Sequence, residues 1–358
     1  MVICSPWSHT ARSKQFKDPL HRPASNGSYF MQTRQPHQLQ IGTLALETPI
    51  VLAPMAGYSD LPFRTILRSM GGLGLAYTEM VSPESILFGR GNRRSEILAT
   101  SPEDRPLAHQ IYGTDPQLMS DAARWLEDHG AILVDINMGC PRREITSSGA
   151  GAALLRQPAL AARLAEEIAR AVAIPVTVKL RLGWDAESIV AAALARDLER
   201  AGVAAITVHG RTRDQSFSGD VSLEAIRRVV ESVDRIPVIG NGDITSPEAG
   251  VRMFRETGCA AIMVGRGAAR NPWLIRDLWQ ELRGLSALPS PTQEERLGLL
   301  REQFEGSIVH YGERHAVAIF KRWIAERSRH LGWSKEQMVR NLKIESIPRM
   351  RAMLEEGG

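Results

Sequence analysis

Cysteine is scarce in this chain. Cys4, Cys140 and Cys259 are the only three in 358 residues, far apart and odd in number. That argues against a disulfide framework and fits a reduced, cytoplasmic compartment. No apolar run approaches the roughly 18 residues that would cross a bilayer as a helix, so no membrane association is expected. Net charge is also missing once it is located. The chain carries +4, and residues 1–36 account for all of it, with Arg12, Lys14, Lys17, Arg22 and Arg34 against Asp18. Residues 37–358 therefore sum to zero, and a nucleic-acid partner cannot be read from bulk charge.

What is present begins with a leader, residues 1–36, rich in Ser, Pro, His and Arg and without periodicity. It reads as a disordered segment, a transit peptide, or a mis-assigned start with Met31 as the real beginning. From residue 48 to about 283 the chain alternates apolar runs with amphipathic segments. The strand-like runs are residues 49–55, 75–80, 107–112, 132–137, 176–181, 205–209, 237–241 and 261–265. Segments such as 117–129, 159–173, 188–201, 223–233 and 247–257 carry apolar residues at helical spacing. Eight strand–helix units predict an α/β fold, a (β/α)8 TIM barrel over residues 37–284. A Pro/Ser linker follows, and residues 292–358 read as a helical domain with expected helices at 294–311, 315–331 and 335–355.

In such a barrel the carboxyl ends of the strands form the active-site mouth. Polar or glycine-rich groups stand at all eight: Met55-Ala56-Gly57, Glu79, Gln110, Asn137 with Cys140, Lys179 with Arg181, His209 with Arg211, Asn241-Gly242-Asp243 and Gly265-Arg266-Gly267. Around Cys140 the strand-forming run Ile132–Ile136 gives way to Asn137, Gly139 and Pro141, which cannot extend a strand. A thiol held on such a turn can serve as nucleophile or acid; the alternative is a small apolar filler. The last two mouth segments occupy the usual phosphate position of this fold, their glycines exposing N–H groups beside Arg266. Gln110 and Lys179, aimed into the mouth, could bind the edge of a flat heterocycle, and a cation there suits a flavin pyrimidine ring. In the helical part, Lys321-Arg322-Trp323 with Arg327, Arg329 and His330 reads either as solvated helix surface or as an RNA-facing basic patch.

These segments resemble a known family. Ala53–Gly57 with Asp60–Arg64, His109–Gly113, Asp135–Pro141, Val178–Arg181 with Gly183-Trp184, Val208–Thr212, Asn241–Ile244, and Gly265–Ala268 with Pro272-Trp273 follow the order of the tRNA-dihydrouridine synthases. The bacterial B-type branch is the nearest pattern. The resemblance implies reduction of a uridine in tRNA to dihydrouridine by bound FMN, with NADPH reducing the flavin, no metal, and a monomer. By position, Pro54, Met55, Ala56, Gln110, Lys179, His209, Asn241, Gly242, Asp243, Gly265 and Arg266 would hold FMN. Cys140 would be the proton donor, and Asn137, Arg143, Arg181, Lys321, Arg322 and Arg327 would meet the RNA. Two positions depart from the family pattern. Glu144 stands where Lys or Arg is usual, and the Arg-Lys-His…Trp-Tyr run of the tail is replaced around Lys321–Trp323. Other readings of the same barrel are a reductase of rRNA or a free pyrimidine, or a flavoprotein that binds RNA without catalysis.

Overall fold

The computed structural model describes residues 39–89 and 92–358; the expected leader, residues 1–36, lies outside them. The described chain opens with an unexpected hairpin. Strands β1 (Leu39–Ile41) and β2 (Leu44–Leu46) pair antiparallel across Gly42, whose φ is +55°. A Cβ at Gly42 would come within 2.9 Å of Pro175 and 3.4 Å of Ala204, the residues just ahead of two barrel strands. The hairpin thus lies beneath the amino ends of the barrel. Its alternation of Leu, Ile and Leu with polar residues around a glycine was a readable signal.

Eight parallel strands follow in the expected windows: β3 (Ile50–Leu52), β4 (Ala76–Tyr77), β5 (Leu107–Ile111), β6 (Val134–Met138), β7 (Val176–Arg181), β8 (Ala205–His209), β9 (Val238–Asn241) and β10 (Ala261–Val264). Their order is β3-β10-β9-β8-β7-β6-β5-β4. A bridge from Val51 to Leu75, with Leu52 N–H donating to Leu75 O at 2.9 Å, joins the two ends and closes the barrel. Nearly every strand residue is buried because helices cover the outer face, the pattern expected of a parallel sheet.

The inward positions change character with height. Near the hairpin they are apolar: Val51, Leu75, Ala108, Leu133, Ala205, Ile239 and Ala261, sealed by Leu39, Ile41 and Leu46. Two or four residues later on the same strand faces stand Gln110, Asp135, Asn137, His209 and Asn241. The barrel is therefore a dry plug below and a polar cup above.

The carboxyl-terminal part consists of helices Gln293–Tyr311, Glu313–Arg327, Lys335–Asn341 and Ile347–Glu356. The expected helix over 335–355 is two helices. Extended Ser346 precedes the second and Pro348 sits in its first turn, where a missing N–H costs nothing but past which an earlier helix cannot run. The expected basic patch is divided: Arg329 and His330 are exposed, whereas Trp323, Arg322 and Arg327 turn toward the barrel. Trp323 is fully buried, 4.6 Å from the Phe63 ring and 5.2 Å from Tyr58. Arg327 is 4% exposed, stacks on Trp323 at 4.6 Å and donates to Ala269 O at 3.2 Å. Arg322 donates to Asp60 Oδ2 at 2.7 Å, and Asp60 also takes the Tyr311 hydroxyl and caps the Leu61–Met70 helix through Phe63 N–H. Arg322 holds the helical part against the first barrel loop and Arg327 against the segment after β10, and neither is a free surface cation.

Candidate active site

The polar cup opens into a cavity of about 340 Å³ at the carboxyl ends of the strands. Its lining includes every residue expected to bind the cofactor: Pro54, Met55, Ala56, Gln110, Lys179, His209, Asn241, Gly242, Asp243, Gly265 and Arg266. Cys140, Asn137 and Arg181 line it as well, whereas Arg143, Lys321, Arg322 and Arg327 do not. Arg143 is exposed on the short helix beyond the thiol turn, and Lys321 is half-buried.

The thiol turn is tightly held. Asn137 Oδ1 accepts from Gly139 N–H at 3.1 Å and Cys140 N–H at 2.9 Å. Arg181, 3% exposed, donates to Gly139 O at 2.9 Å and to Thr212 O and Ser216 O, tying the turn to the segment after β8. Arg181 is thus a brace whose guanidinium is already committed to backbone carbonyls. Burial pushes the Cys140 thiol above its ordinary pKa, against the opposing pull of Arg142, Lys179 and Arg181. It stays protonated at neutral pH, which suits an acid better than a nucleophile.

On the far wall, Asn241 Nδ2 donates to Met263 O at 2.7 Å, which turns its Oδ1 toward His209 Nδ1 at 2.8 Å. That acceptor puts the ring proton on Nδ1. Burial first, then Lys179 and Arg181, hold the His209 pKa well below 6.5, so the ring is neutral. Its buried Nε2 is then a bare acceptor with no partner among the described residues. An orphaned acceptor in a cavity wall fits a planar ligand carrying an N–H, as a flavin ring does.

The two glycine loops adjoin. Gly242 has φ +131° and Asp243 +47°, so the chain turns sharply as it leaves β9. A Cβ at Gly267 would lie 2.1 Å from Ile244 O, so the loops after β9 and β10 touch only because Gly267 has no side chain. Buried Arg211 pairs with both oxygens of Asp243, and Arg266 approaches the same carboxylate at 3.4 Å. The Arg211 hydrogen bond keeps the Asp243 carboxyl ionised, below the usual range. The Asp243 carboxylate is therefore committed to orienting Arg211 and Arg266.

Several lining residues escaped the sequence reading: Tyr58, Met80, Arg142, Phe217, Thr245 and Arg270. Phe217 is half-exposed at the rim, 4.4 Å from the Arg266 guanidinium and 5.4 Å from that of Arg181. It lies on an irregular loop without periodicity, so nothing in the sequence pointed to it.

A family model described as dihydrouridine synthase (Dus) matches residues 51–348. The chain is 38% identical over 296 residues to tRNA-dihydrouridine synthase B of Xanthomonas campestris pv. campestris, covering 82% of this chain and 86% of that one. It is 37% identical over 295 residues to tRNA-dihydrouridine synthase B of Pseudomonas aeruginosa, covering 82% of this chain and 86% of that one. Among solved structures, histamine dehydrogenase from Rhizobium sp. 4-9 is similar with a TM-score of 0.52 at 14% identity, over 75% of this chain and 50% of that one. That likeness is one of fold.

Proposed function

Because the chain belongs to the dihydrouridine synthase family, we propose that it is an FMN-dependent oxidoreductase that reduces a uridine of tRNA to 5,6-dihydrouridine, with NADPH as electron source. The observation that carries this reading is that the Cys140 turn, the Lys179 ammonium and the paired glycine loops all face one cavity. FMN, when bound, supplies the hydride that the uracil C6 receives. Gln110, Lys179 and His209 are the groups that would hold its ring, and the loops at Gly242-Asp243 and Gly265-Arg266 its phosphate. The neutral Cys140 thiol donates the proton that C5 needs as charge develops there. Asn137 is spent on the thiol turn and on Gln110, so its role is to fix Cys140, with substrate contact secondary.

A uridine must leave its stack to reach the cavity, at a cost of a few kcal/mol. Contacts to the RNA backbone offset that cost, and Arg142 and Arg143, exposed just beyond the thiol, are placed to supply them. A free pyrimidine would need no such arginines. We assign residues 37–284 to the flavin barrel and 292–358 to a helical part that meets the RNA.

The test is dihydrouridine content in separated tRNA and rRNA from a strain lacking the gene. The expected result is loss from tRNA, restored by the wild-type chain and not by Cys140→Ala. Unchanged content in both pools would sink the proposal, and loss from rRNA alone would transfer it to the other substrate.

A further inference from the structure

Asp135 does not line the cavity and is fully buried, yet both its carboxylate oxygens are engaged. Thr177 Oγ1 donates to Oδ1 at 2.6 Å, and Gln110 Nε2 donates to Oδ2 at 2.6 Å. Gln110 Oε1 in turn accepts from Asn137 Nδ2 at 2.8 Å, and Asn137 Oδ1 accepts from the Gly139 and Cys140 N–H groups. The direction of this ladder is forced from its outer end. Backbone N–H groups can only donate, so Asn137 must offer them oxygen, Gln110 must offer Asn137 oxygen, and an acceptor must close the chain. Asp135 is that acceptor.

The carboxylate has a second neighbour. Strand register sets Asp135 opposite Thr177 and Asn137 opposite Lys179, so the Lys179 ammonium stands one inward step above Asp135. The Lys179 pKa falls from 10.5 to about 8, chiefly through burial and then through Arg181 on the same strand, with Asp135 and Cys140 opposing that pull. His209 faces it from β8 as a neutral ring. Around Asp135 stand Tyr77 from β4, Gln110 from β5, and Thr177 and Lys179 from β7.

We propose that Asp135 is a positioning residue for the cofactor site: the buried countercharge that keeps Lys179 protonated, and the terminal acceptor that holds Gln110, Asn137 and the Cys140 turn in one orientation. The flavin part of this statement rests on the function proposed above; the ladder part does not. Two substitutions separate the roles. In Asp135→Asn the amide oxygen can still close the ladder while the charge is lost. In Asp135→Leu, of similar size, both are lost.

Burial raises the Asp135 pKa to about 6, so the experiment uses the apoprotein and FMN as titrant with affinity followed from pH 7 to 10, where the carboxylate is ionised. Wild type should lose affinity as Lys179 deprotonates, and Asp135→Asn should lose it about one pH unit earlier, the size of shift one nearby charge produces. In the same apoproteins, Cys140 alkylation by iodoacetamide at pH 7 should match wild type in Asp135→Asn and run several-fold faster in Asp135→Leu. Should Asp135→Leu not fold, Gln110→Met cuts the ladder at the rung between Asp135 and Asn137 and should give the same acceleration of alkylation; wild-type alkylation in that variant overturns the ladder. An Asp135→Asn profile that overlays wild type overturns the countercharge, and wild-type alkylation in a folded Asp135→Leu overturns the ladder. Wild type that binds no FMN at any pH would instead count against the proposed function, with the alkylation result still standing.

Discussion

The turn after β6 and the segment from Lys321 to His330 make similar claims in sequence, each setting functional side chains beside arginines. In the fold they part. The β6 turn leaves a parallel strand at the open end of the barrel, and Cys140 faces the cavity. Lys321–Arg327 is the last part of a helix whose 3.6-residue repeat returns Trp323 and Arg327 to the same face, and that face is pressed on Phe63 and Ala269. Charge and aromaticity alone do not say whether a segment meets a ligand or its own protein; the packing of the surrounding element does.

The sharpest way to test that contrast is Cys140→Ala. Removing a general acid typically costs 10²- to 10⁴-fold in rate. The expected result is a loss of that order in single-turnover uridine reduction, with unchanged FMN content and melting temperature. A comparable drop in stability would mean that the thiol is core after all.

Trp323→Ala should do the reverse. Truncating a buried aromatic costs about 3–5 kcal/mol, so chemical denaturation should show a large loss of stability. Where the variant stays folded at low temperature, chemistry on bound RNA should persist. Activity lost without destabilisation would restore the segment's claim to the substrate.

Lys179 supplies a subtler probe. Its pKa falls from 10.5 in the unfolded chain to about 8 in the fold, so between those values the unfolded state binds more protons. Its contribution to stability therefore rises with pH across that window. The stability of wild-type apoprotein relative to Lys179→Met should climb between pH 8 and 10.5. A flat difference would place the ammonium in solvent.

The smallest effect is expected at the rim. Arg142→Gln and Arg143→Gln should each lower the salt dependence of RNA affinity by roughly 0.7–0.9 in the slope of log K against log salt, one phosphate contact apiece. Folding and FMN binding should not change. Arg322→Gln should leave that slope alone and weaken stability instead, because its partner is Asp60.

Strand windows, barrel class and much of the cavity lining were legible in the sequence, because each strand carries polar or glycine-rich residues at its carboxyl end and parallel barrels expose those ends together. The split of the last helix could have been read from Ser346 and Pro348, and the opening hairpin from its alternation. Phe217 could not, since an irregular loop leaves no periodic trace.

The order of polar and apolar residues along each strand was thus enough to determine a barrel with a chemically equipped mouth. Only the tertiary structure decided that Arg181 and Arg327 are braces, that His209 is a neutral acceptor, and that Asp135 lies beneath Gln110. Those outcomes depend on which groups from distant strands come within 3 Å in a dry interior, where a partner fixes charge and orientation. A linear pattern carries no record of such distances.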